Sequence, residues 1–219
     1  MRIAVIDYGM GNLRSVQKAL EHVAPHAQVT LAHTADAFYE SDAVVFPGQG
    51  SFADCIAALT AQQLTDAVRW AAANRPFLGI CVGLQLLFAH SEEGDVAGLG
   101  ILPGKVVRFP KNEMFATGHA HLKVPHMGWN TITVTRDHPV LPASETGKRY
   151  YFVHSYVVVP EDDAVTLATC EYGIPFTCAV ATGNLIATQF HPEKSGETGL
   201  ALLSRFVTWA QTFSVSSTQ

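Results

Sequence analysis

The stretch Pro76-Phe-Leu-Gly-Ile-Cys-Val-Gly-Leu-Gln-Leu-Leu-Phe-Ala89 changes character at its cysteine. Pro76–Ile80 is a short apolar run of the kind that fills a buried strand, and Val82–Ala89 reads as helix, so Cys81 stands at a strand-to-helix junction. Upstream, the same alternation recurs. Ile3–Ile6 is an apolar strand ending in the turn Asp7-Tyr-Gly-Met-Gly11, and Asn12–His22 follows as a helix with Leu13, Val16, Gln17, Ala19 and Leu20 in its stripe. Gln28–Leu31 and Ala43–Phe46 are further strands, the second closed by Pro47-Gly-Gln-Gly50, and Phe52–Ala58 and Leu64–Asn74 are helices. Strands alternating with helices imply a parallel sheet with helices on both faces.

Beyond Gly94 the texture changes. Val106–Phe109, Thr131–Val134, Tyr150–Val159, Ala164–Cys170, Thr177–Ala181 and Leu185–Gln189 are rich in β-branched and aromatic residues, separated by Pro, Gly, Asn and Asp. Glu197–Gln211 closes the pattern as a helix, and Ser214–Gln219 reads as a frayed tail. The expected fold is α/β: an open, mainly parallel central sheet with flanking helices and an additional antiparallel, strand-rich portion in the C-terminal half. With no repeat or linker, residues 1–213 read as one domain and 214–219 as its tail.

Composition narrows the function. Of 219 residues, 48% are hydrophobic and 15% charged, which supports a sizeable core and excludes a disordered chain. The net charge is −5, and no Lys/Arg cluster offers a footprint for nucleic acid. Met1-Arg-Ile-Ala-Val-Ile-Asp7 meets an aspartate too early for a signal peptide, and no apolar run reaches the ~20 residues needed to span a bilayer. The expectation is a cytoplasmic protein without a membrane or nucleic-acid partner. Cys55, Cys81, Cys170 and Cys178 show no CxxC spacing, so a disulfide framework is not expected, and Cys170 and Cys178 read as buried thiols.

Three strand ends carry chemistry. In Gly79-Ile-Cys81-Val-Gly83, small residues two before and two after the cysteine permit a strained elbow that exposes the sulfur at the carboxyl edge of the sheet and at a helix N-terminus. By itself the pentapeptide also fits a buried cysteine in a glycine-rich turn. Gln189-Phe-His191-Pro-Glu193 follows a strand and brings a histidine to the same edge, with Glu193 close enough to fix its tautomer. A solvated loop histidine is the plain alternative. Pro47-Gly-Gln-Gly50 lets backbone N–H groups approach a ligand, and the Gly50 and Val82 amides together are candidates for an oxyanion hole. An ordinary β-to-α turn is the alternative there. Jointly, nucleophile, base and oxyanion donors would meet at the ligand edge of an open parallel sheet.

Pro47-Gly-Gln-Gly50, Gly79-Ile-Cys-Val-Gly-Leu-Gln85 and Phe190-His-Pro-Glu-Lys-Ser195 resemble the three signatures of the class I, triad-type glutamine amidotransferases. Asp7–Ser15, Pro125-His-Met-Gly-Trp-Asn130 and Tyr151-Phe-Val-His-Ser-Tyr156 are similar to the branch of that family serving as glutaminase subunits of imidazole glycerol phosphate synthases, in histidine biosynthesis. The resemblance runs from Arg2 to about Trp209. It implies a flavodoxin-like arrangement and a Cys81, His191 and Glu193 triad acting on glutamine. It implies substrate contacts from Gln85, Glu93, Ser155 and Tyr156, with no cofactor and no metal. It also implies a heterodimer with a separate (β/α)8-barrel cyclase subunit that receives ammonia through a sheltered passage. Asn12, Pro125, Met127 and Trp129 are the candidate contacts with that partner. The chain departs from the family in carrying Gln49 where an apolar residue, mostly Val, is usual, and Ser51 in place of Ala.

Other readings remain on the sequence alone. One is a glutaminase subunit for anthranilate, pyridoxal phosphate or purine synthesis, and another is a catalytically silent interaction module. A third is a metal-dependent hydrolase using His119, His121 and His126, for which no Asp, Glu or Cys completes a ligand set nearby. Gly9-x-Gly11 lacks the third glycine of a dinucleotide fingerprint, with Arg14 in its place. For Gln85 the plain alternative is a polar residue on the exposed side of its helix.

Overall fold

A computed structural model describes residues 1–110, 118 and 122–216, without the side chains of 214–216. In chain order the first half comprises β1 (Arg2–Ile6), α1 (Leu13–Val23), β2 (Gln28–Ala32), α2 (Ala35–Tyr39), β3 (Ala43–Gly48), α3 (Phe52–Ala61), α4 (Thr65–Asn74), β4 (Phe77–Cys81) and α5 (Val82–Gln85). There follow β5 (Phe88–Ser91), β6 (Val96–Ala97), β7 (Leu102–Arg108), β8 (His126–Val134), β9 (Arg149–His154), β10 (Tyr156–Pro160), β11 (Thr166–Glu171), β12 (Pro175–Thr182), β13 (Leu185–Thr188) and α6 (Gly196–Ser216).

The strands form one sheet in the order β2-β1-β3-β4-β13-β12-β10-β7-β5-β6, with β11, β8 and β9 branching from β12. From β2 to β13 the neighbours are parallel, and β13–β12, β12–β10 and β10–β7 are antiparallel. The architecture is therefore the expected mainly parallel α/β sheet with an antiparallel extension. β1, β3, β4 and β13 are apolar because helices cover them: Ile3–Ile6, Ala43–Phe46, Phe77–Leu78 and Leu185–Ala187 are all buried. Helix α1 packs on α6, and α2 on α4. Among the described residues no helix is long and apolar enough to cross a membrane.

Several elements differ from the sequence reading, each for a physical reason. The helix expected over Val82–Ala89 stops at Gln85, and Phe88 and Ala89 belong to β5. Leu86, Leu87 and Phe88 are fully buried, and the Leu86 and Leu87 carbonyls accept from Leu99 and Ile101 instead of continuing a helix. The run Tyr150–Val159 is broken at Ser155, whose carbonyl accepts from Phe109. β9 pairs with β8 while β10 pairs with β7, so one stretch serves two branches of the sheet. The helix α2 has no periodic stripe long enough to signal it. At the C-terminus, α6 runs through Ser214 to Ser216, so only residues 217–219 of the expected tail lie outside the described residues.

Candidate active site

β3, β4 and β13 lie side by side and parallel, with Gly48 in register with Cys81 and Ile80 with Thr188. The segments after them therefore emerge at one edge. The elbow is tight for a definable reason. A Cβ on Gly83 would lie 1.9 Å from the Phe46 carbonyl oxygen, one on Gly79 would lie 2.8 Å from the Ala187 Cβ, and one on Gly48 would lie 2.8 Å from the Gly83 nitrogen. Glycine is the only residue that lets β3, β4 and β13 close around this turn. Cys81 itself has φ +56° and ψ −112°, a conformation costing a non-glycine residue about 1–3 kcal/mol. The helix it opens is only four residues long. Its macrodipole is correspondingly small, and what remains for the sulfur is the local N–H groups of one turn.

His191 is 3% exposed and is held on several sides. Its N–H donates to the Tyr151 carbonyl at 2.9 Å, and its carbonyl accepts from the Ser195 hydroxyl at 2.6 Å. That hydroxyl accepts in turn from the Tyr151 N–H at 2.9 Å. Nδ1 lies 2.8 Å from Oε1 of Glu193, whose side chain is 1% exposed. Nε2 is buried with no hydrogen-bond partner among the described residues. Burial works against charge on this imidazole, but the Cys81 sulfur and the Glu193 carboxylate overcome it and raise the His191 pKa to about 10. The coupling to Cys81 is thus chiefly electrostatic in this geometry, and the one to Glu193 is a charge-assisted hydrogen bond.

In front of Cys81 opens a cleft lined by Gly50, Cys81, Val82, Gln85, Glu93, Pro125, Val153, His154, Ser155 and Tyr156. Every expected substrate and oxyanion position is on that wall, whereas His191, which is coupled to Cys81, and its partner Glu193 lie off it. Gln85 is 3% exposed, so it is not a solvent-facing helix residue. Its Nε2 donates to the Tyr156 carbonyl at 3.2 Å and to Gln189 Oε1 at 3.0 Å. The Glu93 carboxylate accepts from the Phe52 N–H at 2.8 Å and so ties the cleft to the start of α3. The Pro47–Gly50 segment is held from behind. The Tyr8 hydroxyl donates to the Pro47 carbonyl at 3.1 Å, and the Cys55 thiol to the Gln49 carbonyl at 3.5 Å.

The candidate partner residues lie around the same edge. Met127 and Trp129 are large apolar side chains left 62% and 47% exposed, and Pro125 is exposed beside them. Asn12 is half-buried just after β1. Met127 pairs with Val153 and Trp129 with Tyr151 across β8–β9.

Two neighbours of the sulfur escaped sequence reasoning. Gln189 Nε2 lies 3.8 Å from Cys81 Sγ, and the Val153 carbonyl 4.0 Å. Gln189 stands in the stretch Gln189-Phe-His191-Pro-Glu193, just ahead of the family signature, but nothing local tells that it turns inward. Among the proposed metal ligands, His119 and His121 lie outside the described residues, and His126 is hydrogen-bonded to His154. All four cysteines are free and buried, as read for Cys170 and Cys178. Burial raises the Cys170 pKa to about 12 and that of Cys178 well above the usual thiol value.

Residues 4–209 match the model of the glutamine amidotransferase class-I family. The chain belongs to that family. This amidotransferase is 55% identical over 207 residues to the imidazole glycerol phosphate synthase subunit HisH of Thiobacillus denitrificans, covering 94% of this chain and 91% of that one. It is 53% identical over 208 residues to HisH of Aromatoleum aromaticum, covering 95% and 98%. Its fold is also that of PurLQS from Thermotoga maritima, with a TM-score of 0.72 at 18% identity over 95% of this chain and 98% of that one.

Proposed function

We propose that Cys81, His191 and Glu193 form the catalytic triad of this glutamine amidotransferase. The chain is the glutamine amidotransferase subunit of an imidazole glycerol phosphate synthase and serves histidine biosynthesis. Cys81 attacks the side-chain amide carbon of glutamine as the thiolate, with its proton on His191. A protonated His191 then delivers that proton to the departing ammonia, and Glu193 holds the ring through Nδ1. Backbone amides at Gly50 and Val82 receive the oxyanion, and water releases glutamate from the thioester. Gln85, Glu93, Ser155 and Tyr156 hold the amino-acid end of the substrate.

The ammonia passes to a separate (β/α)8-barrel subunit. Ammonia lost to water becomes ammonium, which is not a nucleophile, so the partner must seal the edge where it is made. Pro125, Met127 and Trp129, with Asn12, are the surface for this, since two large apolar side chains exposed together favour a partner over water. The chain works in the cytoplasm as one domain over residues 1–213. Rival pathways for a glutaminase of this class are disfavoured by the HisH identity of relatives at half identity or more over almost the full chain.

The observation that carries the reading is the buried 2.8 Å His191–Glu193 contact beside a cysteine in a strained turn. Cys81→Ala tests it. Glutamine hydrolysis falls by about 10³-fold or more, while synthesis from ammonium salts persists in the complex. Retained hydrolysis in the variant would remove Cys81 as nucleophile, and loss of both activities would make it a structural residue.

A further inference from the structure

His126 and His154 are buried and have no part in the reaction above, yet Nδ1 of His126 lies 3.0 Å from Nε2 of His154. They face each other in register across β8–β9. Two neutral imidazoles share a hydrogen bond only when one donates and the other accepts, and here the neighbours decide which. His154 Nδ1 lies 2.8 Å from the Tyr156 carbonyl, which can only accept, so Nδ1 carries the proton and Nε2 is bare. His126 Nδ1 must then donate, which leaves His126 Nε2 as an acceptor. Asn130 meets that need. Its Oδ1 accepts from the Thr131 N–H at 2.8 Å, so its Nδ2 is free to donate to His126 Nε2 at 3.3 Å and to the Glu171 carbonyl at 2.8 Å.

The chain continues into the cleft. The Tyr156 carbonyl that holds His154 also accepts from Gln85, and Gln85 holds Gln189 beside the Cys81 sulfur. Each hydrogen bond has one allowed sense. The rings are shielded from competing water: His126 stacks on Tyr172 at 4.0 Å and Phe152 at 4.8 Å, and His154 packs on Phe109 and Phe176, each at 5.2 Å. Burial keeps both neutral, lowering the His126 pKa to about 4 and the His154 pKa to about 3.

We propose that the His126–His154 pair is a positioning device for the glutamine cleft: two neutral, Nδ1-protonated rings fix the Tyr156 carbonyl and thereby the Ser155–Tyr156 wall and the Gln85 amide. The kinetic part of this inference rests on the glutaminase reading, whereas the tautomer assignment does not. His126 lies off the cleft wall, and His154, which lines it, has both ring nitrogens engaged by the Tyr156 carbonyl and by His126. They act through the backbone they hold, so their signature is in substrate binding and not in the chemical step.

The experiment has two arms on the complex with the synthase subunit. In nitrogen-15 NMR at pH 7 both histidines show the Nδ1–H tautomer, and an Nε2–H tautomer or an imidazolium at either position overturns the chain of bonds. In kinetics, His126→Phe keeps the ring but leaves His154 Nε2 buried without a donor, and KM for glutamine rises about tenfold with kcat changed less than about threefold. His126→Asn places an amide donor where Nδ1 stood and returns KM to within about threefold of the unsubstituted value. A packing role alone would lower the active fraction, and so kcat, with KM unaltered. That pattern, or an unchanged KM in His126→Phe, overturns the proposal. Absence of glutamine hydrolysis in the unsubstituted complex sinks the glutaminase reading instead, a result distinct from both.

Discussion

Gly83→Ala isolates the geometry of the elbow from its chemistry. The added methyl would sit 1.9 Å from the Phe46 carbonyl oxygen and 3.0 Å from its carbon, where ordinary contact begins at 3.4 Å. About 1.5 Å of movement is required, and the obstacle is backbone, not the yielding end of a side chain. Phe46 lies in β3, which is locked between β1 and β4 and is buried along its length. The cost therefore falls at or above the top of the usual overpacking range of about 1–3 kcal/mol. At about 2–4 °C per kcal/mol for a chain of this size, the melting temperature falls by roughly 6–12 °C. The same shift separates Pro47–Gly50 from Cys81, so glutaminase kcat/KM falls as well. Thermal unfolding by calorimetry, with steady-state glutamine hydrolysis measured well below the transition, reads both. Gly147→Ala is the control: its φ is +84° but nothing lies within 4 Å of the new methyl, so it carries only the left-handed backbone penalty. A Gly83→Ala protein as stable as Gly147→Ala, with full activity, refutes the close-approach argument.

Glu193→Gln removes the carboxylate that helps hold a proton on His191. The His191 pKa moves down from about 10, kcat/KM drops by about 10²-fold or more, and the basic limb of the pH–rate profile shifts to lower pH; an unmoved basic limb would show that Glu193 does not govern the imidazole. Glu145 concerns stability. Burial raises its pKa, but hydrogen bonds from Lys148 and Tyr150 and the charge of Arg205 outweigh that and leave it below the usual carboxylate value. A lowered carboxyl pKa stabilises the fold above the unfolded value near 4.5 and loses that contribution as pH falls through the folded value. Glu145→Gln therefore destabilises the fold at pH 7, and urea melts show the gap to the unsubstituted protein narrowing as pH drops below 4.5; a gap constant with pH would contradict the assignment. Met127→Asp places a charge on an exposed apolar face and weakens association with the synthase subunit at least tenfold, leaving the melting temperature of the isolated chain unchanged; isothermal titration decides, and undiminished affinity would move the interface elsewhere.

What could be read from sequence follows from where the determinants lie. The strands that carry Gly50, Cys81 and His191 are short, wholly apolar and ended by Gly or polar residues, so their carboxyl ends are visible locally. The spacing of Gly79 and Gly83 around Cys81 is likewise local, although the contacts that require glycine there, with Phe46 and Ala187, belong to neighbouring strands. The misread helix after Gln85 is the opposite case. Leu86-Leu-Phe-Ala89 is compatible with helix or strand, and the choice is made by carbonyl partners at Leu99 and Ile101. The break at Ser155 depends on which branch of the sheet each flank joins, which no window of sequence contains. Gln85 and Gln189 meet across 104 residues, and His126 and His154 across 28. For these the signal is register, and register is a property of the assembled sheet. On sequence alone His126 groups with its neighbours His119 and His121 and not with His154, the histidine it faces.

The neighbours of β4 in the sheet arrive at very different times. β3 precedes it, but β13, its other parallel neighbour, begins at Leu185, 104 residues after β4 ends at Cys81. At about 5–20 residues per second on the ribosome, that interval is roughly 5–20 s. Through it the nascent chain presents Phe77-Leu-Gly-Ile-Cys81 as an unpaired, apolar sheet edge with the thiol at its tip. The centre of the sheet is sealed only when β13 pairs with β4. The enzyme's centre is thus also its final joint, and chains released before Leu185 should aggregate through this edge instead of surviving as partly active fragments.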